Sequence, residues 1–190
     1  MADLQDHVVS ARIATDAGTL LLDIRERLFG QGADSWTVKD TGDLEAHRFI
    51  MKALQEQFPS DGILSEEGHD DLSRLEKERV WIVDPLDGTR EFGEPGRSDW
   101  AVHIALTENG VPTAGAVALP AIGKTLTTDP ASKLSPAHEG RPRMVVSRSR
   151  APAAAMIVAE ALDAELLALG SAGAKAMAVV LGHADIYAHS

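Results

Sequence analysis

The chain has 190 residues, 44% of them hydrophobic and 25% charged, a composition typical of a globular protein with one sizeable core and without a membrane-spanning run. Its formal net charge of −11 argues against a nucleic-acid duplex as a partner, because such partners are bound largely through Lys and Arg. The absence of cysteine excludes disulfides and thiolate zinc sites.

The first sixty residues predict a pair of helices. Apolar residues recur at helical spacing from Val9 to Leu28, which predicts one amphipathic helix that ends near Gly30. Asp43 stands where a second helix is expected to begin, and a cap at this helix start is the structural alternative to a functional role for it. The second helix ends at Pro59 and has an apolar stripe of Leu44, Met51, Leu54 and Phe58.

A buried strand is predicted from Val80 to Val83, after a short apolar segment at residues 63–65. Proline cannot donate to a sheet, so the strand is expected to stop at Asp84-Pro85. Asp84 and Asp87 then lie together at its carboxyl end. Clustered carboxylates favour a bound cation, and Mg²⁺ prefers oxygen ligands. A plain acidic turn is the alternative, since Asp-Gly dipeptides mark turns generally.

The rest of the sequence predicts strands and helices in alternation. A hairpin turn at residues 108–110 joins two antiparallel strands, and a loop covers residues 129–143. Both the P-loop and the dinucleotide-binding glycine motifs are absent, so residues 170–175 are expected to be a tight strand–helix junction. The predicted elements are strands at Trp100–Leu106, Val111–Leu119, Met144–Ser147, Leu166–Leu169 and Ala184–His189, and helices at Pro152–Leu162 and Ala172–Leu181.

The string from Trp81 to Thr89, Trp-Ile-Val-Asp-Pro-Leu-Asp-Gly-Thr, resembles the metal-binding signature of the inositol-monophosphatase-like phosphatases, which are Mg²⁺-dependent and lithium-sensitive. A Glu-Glu pair precedes it, as in that family. The resemblance implies a site for two or more Mg²⁺ ions. Its ligands would be Glu66, Asp84, the Leu86 carbonyl and Asp87.

The same resemblance implies roles for residues around the metal. Asp43 and Thr89 would form the proton relay that activates the attacking water. Gly88 and Thr89 lie where backbone N–H groups would bind phosphate. The sugar, base or second phosphate of the substrate would contact Ser147, Gly170, Ser171 and Lys175.

Three further strings are similar to one branch of the family, the CysQ-type 3′(2′),5′-bisphosphate nucleotidases of sulfur assimilation. They are Arg90-Glu91-Phe92, Ser98–Leu106 and Gly170–Val179. The similarity implies removal of the 3′-phosphate from 3′-phosphoadenosine 5′-phosphate to give AMP and phosphate. An inositol-phosphate or fructose-1,6-bisphosphate phosphatase is the alternative within the enzymes.

The resemblance also implies an α+β fold, a layered αβαβα sandwich. Residues 1–119 would form an N-terminal half with the helix pair, an antiparallel sheet and the metal site. Residues 120–190 would form a C-terminal α/β half that is incomplete and contributes substrate contacts.

Two departures from the family pattern bear on activity. Lys39–Asp43 replaces the usual Val-Thr-x-x-Asp, and the metal-binding Trp-Asp motif is missing because no tryptophan follows Trp100. A C-terminally truncated chain with weak or absent activity is therefore expected. Its unburied apolar faces and open sheet edge favour a homodimer or aggregation. No signal peptide is visible at the start of the sequence, so the cytoplasm is the expected location. A non-catalytic protein that binds metal and phosphonucleotide is the alternative from another class.

Overall fold

The computed structural model describes residues 2–68, 71–136 and 138–188. Two short 3-10 segments occur at Leu72–Glu76 and Pro120–Ile122. Among the described helices, none combines the length and the apolar character that a membrane crossing requires. The helices are α1 (Leu4–Gly30), α2 (Ser35–Gln57), α3 (Thr89–Phe92), α4 (Ala153–Ala161) and α5 (Ala172–Val180). The strands are β1 (Gly62–Ser65), β2 (Arg79–Asp87), β3 (Ala101–Glu108), β4 (Val111–Leu119), β5 (Lys124–Thr127), β6 (Arg143–Ser147), β7 (Glu165–Leu169) and β8 (Ile186–Tyr187).

The elements stack in five alternating layers. The helix pair α1 and α2 covers one face of a sheet of order β1-β2-β3-β4-β5, and α5 lies on the other face. A second sheet, of order β7-β6-β8, contacts α5 through Val145 and α4 through Met144 and Val146. These layers confirm the predicted αβαβα sandwich. The division after residue 119 stays a prediction, and β5, which follows it in the chain, forms the edge of the first sheet.

The main core lies between the helix pair and the first sheet. Ile13 and Leu21 of α1, Leu54 of α2 and Ile104 of β3 are almost fully buried there. Burial of such a side chain contributes about 1.5–3 kcal/mol relative to leaving it in water. Trp81 is fully buried in β2, and its ring stacks on Phe58 at 4.9 Å. This packing holds β2, the strand that carries the paired aspartates, rigidly in the middle of the sheet.

The start of α2 was predicted wrongly. Asp34 caps the helix by accepting a hydrogen bond from the Thr37 amide at 2.8 Å, so Asp43 lies inside α2 and is not its cap. Gly42 looks like a helix breaker in the sequence. In the fold, a Cβ at Gly42 would lie 2.4 Å from the Phe92 ring, so glycine is required for the close packing of α2.

The apolar stripe of α2 was also partly misplaced. Leu54 is buried as predicted, but Leu44 is 43% exposed and Met51 only half-buried. The buried face includes the small residues Gly42 and Ala46. A pattern of large apolar residues does not reveal such a face, because small residues allow the helix to approach the sheet closely.

The strand β2 continues through Pro85 and ends at Asp87, beyond the predicted stop at Asp84. The register with β3 shifts between Asp84 and Asp87, so Pro85 lies in a bulge and has no ladder hydrogen bond to lose. The strands β2 and β3 pair in one sheet, as expected. That sheet is mixed rather than antiparallel throughout, because β1 runs parallel to β2.

The second half follows the predicted order with small differences. Asn109 and Gly110 have positive φ values of 51° and 78°, which confirms the hairpin turn between β3 and β4. The edge strand β5 was missed; it is short and has one buried residue, Leu126. The last predicted strand is formed only at Ile186–Tyr187, and its predicted end, His189, lies outside the described residues.

Candidate metal and phosphate site

Two aspartates and a histidine meet at the bulged end of β2. Asp84 pairs in register with His103 of β3, while Asp87 lies beyond the bulge. Candidate ligand atoms of Asp84, Asp87 and His103 lie within 4.8 Å of one another, and all three residues are half-buried. In the part of the chain that the structure describes, this is the cluster of acidic and histidine side chains suited to a metal ion.

Asp87 is held by donors from the second half of the chain. Its Oδ2 accepts hydrogen bonds from the Ser171 hydroxyl at 2.6 Å, the Gly173 amide at 2.6 Å and His103 Nε2 at 3.0 Å. Its Oδ1 accepts one longer bond, from the Ala172 amide at 3.2 Å. Burial alone would raise the pKa of Asp87, but the bonds from His103, Ser171 and Gly173 outweigh burial and lower the pKa to about 2.

Asp84 lies three residues away in a contrasting environment. Burial, followed by the negative charges of Asp87 and Glu66, raises the pKa of Asp84 to about 7. The hydrogen bond that Asp84 receives comes from the Leu86 amide, at 3.1 Å. Glu66 is exposed at the end of β1 and adds negative charge to the site, but it is not part of the three-residue cluster.

The turn after β2 brings the first sheet close to the start of α5. Gly88 has a φ of 89°, and a Cβ there would lie 3.0 Å from Ser171 and 3.1 Å from the Asp99 carbonyl oxygen. Both its conformation and its surroundings therefore require glycine. The Thr89 hydroxyl donates to the Leu86 carbonyl at 3.1 Å. That carbonyl oxygen keeps one lone pair for a further contact.

Asp43 faces the site from α2. It lines a cavity of about 400 Å³ together with Thr89, Glu67, His47 and Lys39. Burial, and then the charges of Glu67 and Asp84, raise the pKa of Asp43 to about 7. The predicted relay partners Asp43 and Thr89 thus share one cavity, although the Thr89 hydroxyl is bonded to Leu86.

Three of the predicted substrate contacts, Ser147, Gly170 and Lys175, line a second cavity, which Asp87 also lines. Ser171 does not line it: this residue is 1% exposed, and its hydroxyl is bonded to Asp87. The cavity has a volume of about 840 Å³, and its lining also includes Arg150. Lys175 is 3% exposed and donates to the backbone carbonyls of Gly170 at 2.7 Å and Ser171 at 3.0 Å. Two of its three donors therefore stabilise the turn before α5.

Sequence reasoning missed several residues of this site. His103 was overlooked although it is a polar residue in an apolar strand, a signal that could have found it. Asp99 is 6% exposed and accepts a hydrogen bond from the Gly170 amide at 2.6 Å. Asp99 also pairs with Arg97, but its partner in the site, Gly170, lies far along the chain. The role of Asp99 therefore could not be assigned from the Ser98–Leu106 string alone.

The side chains of this site fit a hard divalent cation. Asp84 and Asp87 are half-buried carboxylates, and a nearby positive charge would stabilise their ionised forms. Among the described residues, neither carboxylate is bonded to a Lys or an Arg. Asp87 Oδ1 and the Leu86 carbonyl both retain acceptor capacity. Oxygen donors of this type suit Mg²⁺, whereas His103 is already bonded to Asp87.

Comparison with known proteins gives relatives over nearly the whole chain. The 3′-phosphoadenosine 5′-phosphate phosphatase of Mycobacterium bovis is 48% identical over 184 residues, covering 92% of this chain and 68% of that protein. The Mycobacterium leprae protein of the same name is 45% identical over 201 residues, covering 99% of this chain and 73% of that protein. A Shigella flexneri protein named 3′(2′),5′-bisphosphate nucleotidase CysQ is 37% identical over 58% of this chain and 49% of its own length.

Solved structures have the same fold. CysQ from Bacteroides thetaiotaomicron superposes with a TM-score of 0.74 at 26% identity, covering 96% of this chain and 79% of that one. Inositol monophosphatase II from Staphylococcus aureus also superposes with a TM-score of 0.74, at 22% identity, covering 97% of this chain and 75% of that one. The sequence pattern of the inositol monophosphatase family matches residues 5–190. The chain therefore belongs to the inositol monophosphatase family, and within it to the CysQ-type branch.

Proposed function

We propose that this protein is a Mg²⁺-dependent phosphatase that removes the 3′-phosphate of 3′-phosphoadenosine 5′-phosphate, giving AMP and phosphate. The observation that carries this proposal is the identity of 45–48% to mycobacterial proteins named for that activity. The carboxylate cluster at the end of β2 supplies the chemistry such a reaction needs. We place this reaction in the cytoplasm, in sulfur metabolism, and expect it to be inhibited by lithium.

Glu66, Asp84, the Leu86 carbonyl and Asp87 would hold the Mg²⁺ ions. When bound, Mg²⁺ neutralises phosphate charge and makes the attacking water more acidic. Asp87 is kept ionised by the donors of α5 and His103, so it is available as a ligand throughout the neutral pH range.

Asp43 and Thr89 would orient the water that attacks phosphorus. They line the same cavity, and a carboxylate beside a hydroxyl is suited to accept a proton from that water. Thr89 reaches this role by turning its hydroxyl from the Leu86 carbonyl toward the water. Backbone N–H groups at Gly88 and Thr89 would bind the phosphate that is transferred.

The larger cavity would hold the rest of the nucleotide. Its volume of about 840 Å³ falls in the usual range for small-molecule sites, about 300–1,000 Å³. Ser147 and Gly170 line this cavity and would contact the sugar or base with polar groups, whereas Ser171 would act through its hydrogen bond to Asp87. The Lys175 ammonium and the Arg150 guanidinium would supply positive charge for the second phosphate.

The test is phosphate release from 3′-phosphoadenosine 5′-phosphate, inositol 1-phosphate and fructose 1,6-bisphosphate, each with and without Mg²⁺. We expect the nucleotide to be the best substrate and activity to require Mg²⁺. Asp84→Asn should abolish it, while Asp163→Asn, at a side chain that is 81% exposed, should not. A preference for inositol 1-phosphate would refute the substrate, and Mg²⁺ binding without turnover would favour the non-catalytic alternative.

We also propose a homodimer in solution. The outer strand β7 exposes 40% of Leu166, and the last strand β8 pairs with β6 on one side. Unpaired strand edges with apolar side chains favour association. Light scattering across a range of protein concentrations tests this, and a monomer at every concentration would refute it.

A further inference from the structure

A buried ion pair joins the two halves of the site and has no part in the proposed chemistry. Glu91 lies in α3, directly after the turn that follows Asp87, and its side chain is 6% exposed. Arg148 follows Ser147 at the end of β6. Its guanidinium donates to Glu91 Oε1 twice, from Nε at 3.1 Å and from Nη2 at 2.7 Å. A forked contact of this kind fixes direction as well as distance.

Arg148 is itself held on two further sides. Its guanidinium donates to both carboxylate oxygens of Glu94, at 2.9 Å and 2.8 Å. Its backbone amide donates to the Leu169 carbonyl at 3.0 Å, which ties it to the end of β7. Because the carboxylate of Glu91 is buried, removing Arg148 would leave a charge without its partner. The pair is therefore a fixed connection between α3 and the ends of β6 and β7.

Gly170 is pressed directly against this pair. A Cβ at Gly170 would lie 1.9 Å from the Glu91 carboxylate carbon. The φ of Gly170 is not positive, so it is space rather than conformation that requires glycine. The Glu91 side chain, held by Arg148, therefore limits where the Gly170–Ser171 turn can lie, in addition to the hydrogen bonds that the turn forms with Asp99 and Lys175.

The Gly170–Ser171 turn positions the groups that donate hydrogen bonds to Asp87. Ser171 donates its hydroxyl to Asp87, and the Gly173 amide does the same, both at 2.6 Å. We propose that Glu91 and Arg148 are positioning residues that hold the Gly170–Ser171 turn against the Asp87 segment, and so fix the metal-binding side of the site relative to the substrate-binding side. The consequence for catalysis rests on the proposed function, whereas the consequence for the turn does not.

The first measurement is amide hydrogen exchange of residues 170–173 in the metal-free protein. Glu91→Gln keeps the shape of the side chain and removes its negative charge. Arg148→Met removes the guanidinium and its two hydrogen bonds to Glu91. We expect each to speed exchange in this segment about tenfold or more, because local opening becomes easier. Arg141→Met is the control: Arg141 also donates twice to one acidic residue, to the backbone carbonyl and to Oδ1 of Asp163, but at side chains that are 62% and 81% exposed. It should leave exchange at residues 170–173 unchanged.

The second measurement is steady-state kinetics on 3′-phosphoadenosine 5′-phosphate. Misplacement of groups around the reacting atoms lowers the rate by up to about 100-fold, so kcat should fall more than KM changes in both variants. The double variant should lose no more than the worse single variant, because both act through one contact. A purely structural pair would lower activity only in proportion to the loss of folded protein, with kcat per folded molecule unchanged.

The outcomes separate this inference from the proposed function. If the wild type does not hydrolyse the nucleotide, the proposed function fails and the exchange experiment still decides the role of the pair. Unchanged exchange at residues 170–173 in both folded variants would overturn the inference. If Glu91→Gln unfolds, Arg148→Lys retains the charge and loses only the fork, and it should show the faster exchange. Unfolding of all three variants would make the pair a folding determinant and overturn the positioning role.

Discussion

Replacing Gly42 by alanine would have two opposing effects on stability, both at α2, the helix that carries Asp43. Gly42 lies within α2, where alanine is the better helix former by about 0.5–1 kcal/mol. A Cβ at this position would lie 2.4 Å and 2.9 Å from two ring carbons of Phe92. Phe92 has no free space, because its ring is fully buried and packs edge-to-face on Trp100 at 5.0 Å.

The cost of overpacking should exceed the gain in helix propensity. An extra methyl group in a well-packed core costs about 1–3 kcal/mol, and both ring contacts lie below the distance that real Cβ atoms adopt. Subtracting the gain in helix propensity leaves a net loss of about 0–2.5 kcal/mol in the free energy of unfolding. The two close ring contacts place the expected loss in the upper half of that range. The strain would be relieved by moving α2 away from Phe92. Since Asp43 is the next residue, its carboxylate would move as well, so we also expect a lower phosphatase rate.

Urea unfolding of Gly42→Ala and Gly30→Ala tests this reasoning. Gly30 is the last residue of α1, and nothing lies within 4 Å of a Cβ built there. The control should therefore be neutral or more stable by up to about 1 kcal/mol, because only helix propensity acts. If Gly42→Ala were stabilised to the same extent as Gly30→Ala, the contact with Phe92 would not be the reason for glycine.

Three further predictions concern the metal, the relay and acid stability. Asp87→Asn should abolish Mg²⁺ binding measured by calorimetry while circular dichroism shows the helices intact; unchanged binding would refute its role as a ligand. Thr89→Ala should lower kcat by about 10²–10⁴-fold with little change in Mg²⁺ affinity, and equal losses in both would make Thr89 structural. Burial would raise the pKa of Asp6, but hydrogen bonds led by that from Arg79 at 2.6 Å lower it. Because the pKa is lower in the folded protein, ionised Asp6 stabilises the fold above a pH of about 3.9, which is the pKa of Asp in the unfolded chain. This stabilisation is lost as the pH falls through the pKa of Asp6 in the folded protein. Asp6→Asn should thus flatten the acid limb of unfolding measured against pH, and an unaltered limb would contradict this.

The residues of the site that lie close together in the chain could be predicted from the sequence. Asp84, Leu86 and Asp87 share one strand end, so the position of each follows from the others. The partners of Asp87 could not be predicted in this way. Ser171 and Gly173 follow it by more than eighty residues, and their hydrogen bonds exist only because α5 packs on the first sheet.

The errors have a common physical cause: local signals were outweighed by tertiary contacts. Asp43 favours a helix start, yet α2 runs through this point because Gly42 before it packs directly on Phe92. Pro85 favours a strand end, yet the bulge in β2 leaves its missing N–H without consequence. In both cases the chain before and after these residues is held by the core, so the local preference has too little energy to decide the structure.

The contrast between Asp84 and Asp87 follows from the layered fold. Both side chains are half-buried at the same strand end, and burial acts on both in the same direction. Only Asp87 receives donors from α5, which belongs to the layer between the two sheets. Asp84, which faces Glu66 and Asp43 instead, keeps a raised pKa and has the stronger need for a cation. Donors from the second half of the chain therefore act with His103 to lower the pKa and fix the position of a carboxylate in the first half. This dependence is why a pair of positioning residues at the junction, Glu91 and Arg148, would affect catalysis without touching the substrate.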